Sequence, residues 1–154
     1  MSFVVYKTLH VIGVVILVGN VTATSIWKVF ADRTGNVHVM AFAQRLVTIT
    51  DWLLTVPGIV LIMVGGFGST WAAGVSPFGS SWLRFSELLF VLAGVIWLAV
   101  LVPIQMRQAR SARGFVVSGI VPGEYRRDAR RWLWWGISAT VMLLGAVVLM
   151  VAKP

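Results

Sequence analysis

The sequence predicts an all-α polytopic membrane protein: an antiparallel bundle of four transmembrane helices with both termini outside. Three observations predict it. Of the 154 residues, 58% are apolar and 12% charged, with a mean hydropathy of +0.89. An ordinary soluble domain runs about 45–50% apolar and about 25% charged, so a water-soluble core of this size could not hide the surplus. Four apolar stretches are each long enough to cross a hydrocarbon layer of about 30 Å, which takes roughly 20 residues of helix. The basic residues, finally, are concentrated between particular stretches rather than scattered.

The expected spans are residues 4–27, 43–67, 83–106 and 131–152, forming a single transmembrane domain. In the first, His10, Gly13, Leu17, Asn20 and Thr24 follow one another at steps of three and four, a single stripe on one helix face. Lys7 before an apolar run that ends in Thr22-Ala-Thr-Ser25 has a superficial likeness to a secretory leader. The run reads as a retained helix. In the second span, Thr48, Asp51, Thr55, Gly58, Ile62 and Gly65 repeat the same rhythm, and Pro57 predicts a kink. Residues 68–81 are rich in Gly, Ser and Trp and read as a turn. The third span offers Arg84, Glu87, Val91, Gly94 and Leu98 as its inward stripe, with Arg84 and Glu87 at ion-pair spacing. Residues 107–130 read as a basic loop, in which Glu124 and Asp128 have Arg127 and Arg131 as helical neighbours. Gly136, Thr140 and Gly145 mark the fourth span at looser spacing.

Orientation follows from the basic residues. Lys28, Arg33 and Arg45 flank the first connection, and Arg107, Arg110, Arg113, Arg126, Arg127, Arg130 and Arg131 the third. Lys7, Arg84 and Lys153 stand on the other side. The positive-inside rule puts the richer side in the cytoplasm. The formal charge of +8 is thereby explained as topology and as contact with anionic lipid head groups; no nucleic-acid partner is called for. With no cysteine in the chain, disulfides, thiolate catalysis and cysteine-held metal centres are excluded. No Ser–His–acid arrangement or phosphate-cradling glycine loop is present.

The polar residues within the spans carry the functional hypotheses, because ionisable groups in a membrane are costly to keep there. His10, roughly 10 Å along the first helix from its outer end, suits either a cofactor or proton role or a hydrogen bond to a neighbouring backbone carbonyl or Asn. Asp51 lies near mid-membrane and suits proton transfer or a structural pairing with Arg45 or a threonine. Glu87 with Arg84 reads as a structural ion pair, and His38 as a solvated residue.

Several short motifs resemble a family of predicted bacterial integral membrane proteins of unknown function. They are Lys7-Thr-Leu-His10-Val-Ile-Gly13 with Gly19, Arg45, Asp51-Trp52, Thr55-Val-Pro57-Gly58, Trp82-Leu-Arg-Phe-Ser86 and Pro103-Ile-Gln105. More distantly, the helix-one histidine, Arg45-Leu46, Tyr125-Arg126 and Lys153-Pro154 are similar to the HemJ-type protoporphyrinogen oxidases and the CopD-type copper-resistance proteins. The HemJ likeness implies haem b near the outer side of the bacterial inner membrane, with His10 as an iron ligand. The family's second ligand is a lysine early in helix three, where this sequence has Arg84 and Ser86. Arginine stays protonated and cannot ligate iron, so Arg84 would instead pair with a propionate, leaving haem held through the one ligand or through a substitute such as Met63 or Met150. Two functional readings follow: a haem-dependent redox protein, or a non-catalytic membrane module. The latter is a partner subunit, or a small permease that requires a homo-oligomer, with its polar seams serving helix packing or proton coupling. Copper handling needs more His and Met ligands close together than the sequence offers.

Overall fold

The computed structural model describes residues 2–154, and among them every regular element is helical. Four helices are long and apolar enough to cross a membrane: α1 (Phe3–Thr34), α2 (Val37–Ala72), α3 (Ser81–Ser118) and α4 (Gly123–Ala152). They run antiparallel in sequence order. Both termini and the 73–80 connection lie at one end, the terminal end. The arginines at 107–131 lie at the other, the arginine-rich end.

The helices outrun the expected spans. Residues 107–130, expected as a basic loop, are helical up to Ser118 and again from Gly123. Arginine is a good helix former, and here its long side chains reach solvent from helix ends. Gly119 closes α3 at φ 71°, a conformation that costs a residue with a Cβ but not glycine. The first connection is equally tight. Gly35 caps α1 at φ 66°, and the Asn36 side chain accepts hydrogen bonds from the His38 and Val39 N–H groups to start α2.

Two wide turns interrupt the α-helical ladder, one in α2 at Asp51–Thr55 and one in α3 at Trp97–Leu101. In each, an N–H reaches five residues back, Val56 to the Asp51 carbonyl and Val102 to the Trp97 carbonyl. Pro57 and Pro103 immediately follow. A proline has no N–H to donate and its ring crowds the carbonyl four residues earlier. Widening the preceding turn to π geometry relieves that crowding, so the expected kink at Pro57 takes the form of a π-turn.

Packing differs at the two ends. Toward the termini, α1 lies along the second half of α2 and the first half of α3 lies along α4, with no close backbone approach between the two pairs. Toward the arginine-rich end, the first half of α2 meets the second half of α3, and α1 reaches α4. Val47, Leu101, Ile104 and Trp132 form a buried apolar cluster there, and Met40, Ala112, Phe115 and Tyr125 form a second one nearer the end. An exposed fork joins α3 to α4, with Arg107 donating to both Asp128 oxygens at 2.9 and 3.0 Å. Asp128 therefore pairs across helices rather than with Arg131, whereas Arg127 approaches Glu124 at 3.9 Å.

The expected stripes of α1 and α2 are the buried ones. Gly13, Leu17, Asn20 and Thr24 are buried on α1, and Asp51, Thr55, Gly58 and Gly65 on α2. The stripe expected on α3 is not. Arg84, Val91 and Leu98 are exposed, while Leu83, Ser86 and Ala93 are buried, followed beyond the π-turn by Leu101, Ile104, Gln105 and Gln108. Arg84 and Glu87 form no ion pair among the described residues. A charged side chain at the start of a membrane helix favours the aqueous boundary over the bundle interior, which accounts for the outward position of Arg84.

Candidate functional site

Asp51 sits near the middle of α2 at the start of its π-turn, and its side chain is buried where α1, α2 and α3 meet. Gln105 Nε2 donates to its Oδ2 at 2.9 Å. Thr55 Oγ1, one turn on, donates to Oδ1 at 3.0 Å. Asn20 of α1 places its Nδ2 2.9 Å from Thr55 Oγ1 and 3.5 Å from Asp51 Oδ1. Trp97, which opens the π-turn of α3, brings its indole N–H toward the same carboxyl but short of hydrogen-bond geometry. Every partner is a neutral side chain.

Arg45, proposed from sequence as a counter-ion, is exposed. Six residues of helix carry it roughly 240° around from Asp51, which prevents the pairing. The threonine expectation is met by Thr55 and not by Thr48, whose hydroxyl donates to the Gln44 carbonyl.

His10 is half-buried against α2. Its Nδ1 lies 2.9 Å from the Ile62 carbonyl, and a carbonyl can only accept, so Nδ1 carries the proton and Nε2 is the basic nitrogen. The two helices are in backbone contact at this level. A Cβ on Gly65 would meet the His10 backbone, and one on Gly66 would lie 3.2 Å from His10 Nδ1. Arg84 is exposed on the first turn of α3, and α1 does not pack on that half of α3. Glu87 is half-buried. The structure thus gathers Asn20, Asp51 and Thr55 into one network and leaves His10, Arg84, Glu87 and Arg45 outside it. Among the described residues, no group of three His, Cys, Asp or Glu side chains converges as for a metal ion.

Two features escaped the sequence reading. Gln44, Gln105 and Gln108 are buried between α2 and α3; the signal for them was the step from Gln105 through Gln108 and Ala112 to Phe115, another 3-4 stripe. The other is Lys28, read as a topology signal but only 1% exposed. It pairs with Asp32 one turn on and donates to the Tyr125 hydroxyl at 2.7 Å, and Tyr125 in turn donates to Asp32 at 2.9 Å. Tyr125 stands in the first turn of α4, outside the expected span that begins at residue 131. Burial, and secondly the Asp32 carboxylate, hold its phenol far above its ordinary range, so it remains a donor.

Neither a curated protein nor a solved structure matches the chain. A family model described as "Predicted integral membrane protein (DUF2269)" matches residues 4–154, almost its whole length, and the chain belongs to that family of integral membrane proteins.

Proposed function

We propose that the protein is a membrane module that binds and releases a proton at Asp51. The observation that carries this reading is the composition of the Asp51 shell. A carboxylate in a membrane interior is held charged by a cation beside it, and this one is met only by Gln105, Thr55 and Asn20. Such a shell suits a neutral carboxyl, whose O–H can donate to Thr55 Oγ1 while its other oxygen accepts from Gln105. Losing the proton creates a charge that these dipoles solvate only in part. A conformational or ligand-linked change at this junction would therefore move a proton on or off, the property needed for proton coupling in a partner subunit or an oligomeric permease. In this reading the arginine-rich end faces the cytoplasm, which its excess of basic residues supports, and the membrane is the inner membrane of a bacterium.

Carbodiimide labelling tests the reading, because the reagent adds to protonated carboxyls in apolar surroundings and leaves a stable N-acylurea. The expected result is an adduct on the Asp51 peptide that declines as pH rises and is missing in Asp51→Asn. An Asp51 left unmodified at every pH in folded protein contradicts the proposal.

A second reading has one observation in its favour. The Nδ1–Ile62 carbonyl bond fixes the tautomer of His10 that leaves Nε2 basic, the arrangement in which histidines ligate metals. In this reading His10 holds haem b through Nε2, and the haem supplies redox chemistry. Protein purified from haem-replete cells should then show a Soret band that His10→Ala removes; a flat visible spectrum from folded protein rejects the reading.

A further inference from the structure

We propose that a chain of bound water runs along the α2–α3 seam from the arginine-rich surface to Asp51, an access path open at that end alone. The proposal rests on the reading of Asp51 as a proton-binding group and supplies the route by which its proton comes and goes.

The path begins in a hollow of about 410 Å³ between α3 and α4, lined by Arg107, Gln108, Ser111, Tyr125 and Asp128 among others. Gln108 lies at its inner end, 1% exposed, and neither its Nε2 nor its Oε1 has a hydrogen-bond partner. A buried amide without partners costs several kcal/mol in an apolar medium, and proteins avoid that cost with internal water. One helical turn from Gln108, a rise of roughly 4.5 Å, is Gln105, whose Nε2 donates to Asp51. Across the seam, Gln44 donates from Nε2 to the Gln105 carbonyl at 3.4 Å and leaves its own Oε1 unpartnered. The indole N–H groups of Trp27, Trp97 and Trp132 are also buried without partners. Among the described residues, these side chains account for every buried side-chain polar atom that lacks a partner. All lie between the level of Asp51 and the arginine-rich end.

On the terminal side of Asp51, no buried side-chain polar atom among the described residues lacks a partner, so nothing there calls for water. Beyond Thr55, α1 and α2 are in contact through Gly13, Gly58 and Gly65, where an added Cβ would meet backbone within 3.3 Å. Of the charged groups near the path, Glu124, Arg127 and Arg131 line the surface hollow, and the others are engaged elsewhere. Lys28 is held by Asp32 and Tyr125, and Arg107 by Asp128. Among the described residues, Asp51 is the one ionisable group at the inner end of the path, with neutral Asn20 facing it from α1 and Gln105 from α3. On deprotonation the Asp51 O–H bond breaks, the nearest water takes the proton, and the water chain passes one proton to bulk solvent at the arginine-rich surface.

The sequence contains no cysteine, so single cysteines can report hydration with silver ions, which are close to water in size. In vesicles of defined orientation, Gln108→Cys should react at least roughly tenfold faster than Ala93→Cys, because a hydrated thiol ionises and one in apolar surroundings does not. Ala93 is the control, buried on the same helix where α3 lies along α4, away from the seam. Reaction should occur only with silver at the arginine-rich face. Gln44→Cys gives the same reading if Gln108→Cys does not fold. Equal rates at the test and control positions, or faster reaction from the terminal face, overturn the path. The readout does not depend on the protonation of Asp51, so a dry seam and an ionised Asp51 are separate failures: silver detects the first and carbodiimide the second.

Discussion

Leucine at position 65 should drive the first helix off the second and cost about 3 kcal/mol or more, beyond the usual overpacking penalty of about 1–3 kcal/mol. The usual penalty assumes that neighbouring side chains can shift. At Gly65 the obstacle is backbone: a Cβ would lie 2.7 Å from both the His10 Cα and the Tyr6 carbonyl oxygen. Only moving α1 makes room. In lipid, where apolar contact with a neighbouring helix replaces equally apolar contact with acyl chains, such close approach supplies most of the packing energy. The shift would also break the His10–Ile62 bond and loosen Asn20 from Thr55. Gly94→Leu is the control, since nothing lies within 4 Å of a Cβ there, and its stability should stay within about 0.5 kcal/mol. Thermal unfolding in one detergent, read by gel filtration and circular dichroism, checks the pair. Equal melting of the two variants would show that the α1–α2 contact is not as close as described.

That contact was legible in the sequence. Gly13, Gly58 and Gly65 recur with Asn20, Asp51 and Thr55 at helical steps, and small and polar residues mark helix interfaces in lipid because ordinary apolar residues carry no such information. Helix α3 was read on the wrong face for the same reason. Its most conspicuous polar residues, Arg84 and Glu87, sit at the membrane boundary, where charge points outward. The π-turn at Trp97–Leu101 then adds a residue to the turn and shifts the phase of everything after it, so no single stripe describes the whole helix. Asp51 was identified as a candidate, but its partners were not. Gln105 lies close to the expected end of its span, where a glutamine looks interfacial, and only the bend before Pro103 and the crossing of α2 bring it to a carboxyl 54 residues away. Lys28 illustrates a limit of counting charges. It contributes to the positive excess at its end of the protein, yet its ammonium is buried between α1 and α4 against Asp32 and Tyr125.

Substituting Asp51 by asparagine should remove the proton-binding group while keeping the fold. The amide matches the carboxyl in shape, with an oxygen to accept from Gln105 Nε2 and an N–H₂ to donate toward Thr55 Oγ1, the pattern of the protonated carboxyl. Stability should change by no more than about 1 kcal/mol, the net scale of one rearranged hydrogen bond. The effect on titration should be complete. Glu87, Asp32, Glu124 and Asp128 remain in both proteins, so the difference between wild type and Asp51→Asn isolates one carboxyl. The decisive measurement is an infrared pH titration of the two proteins side by side in lipid. The proton-binding reading predicts a carboxylic C=O band at neutral pH in the wild type, absent from Asp51→Asn, that gives way to a carboxylate band as pH rises. A carboxylate signal from Asp51 at neutral pH, with no carboxylic band in the difference spectrum, would contradict it.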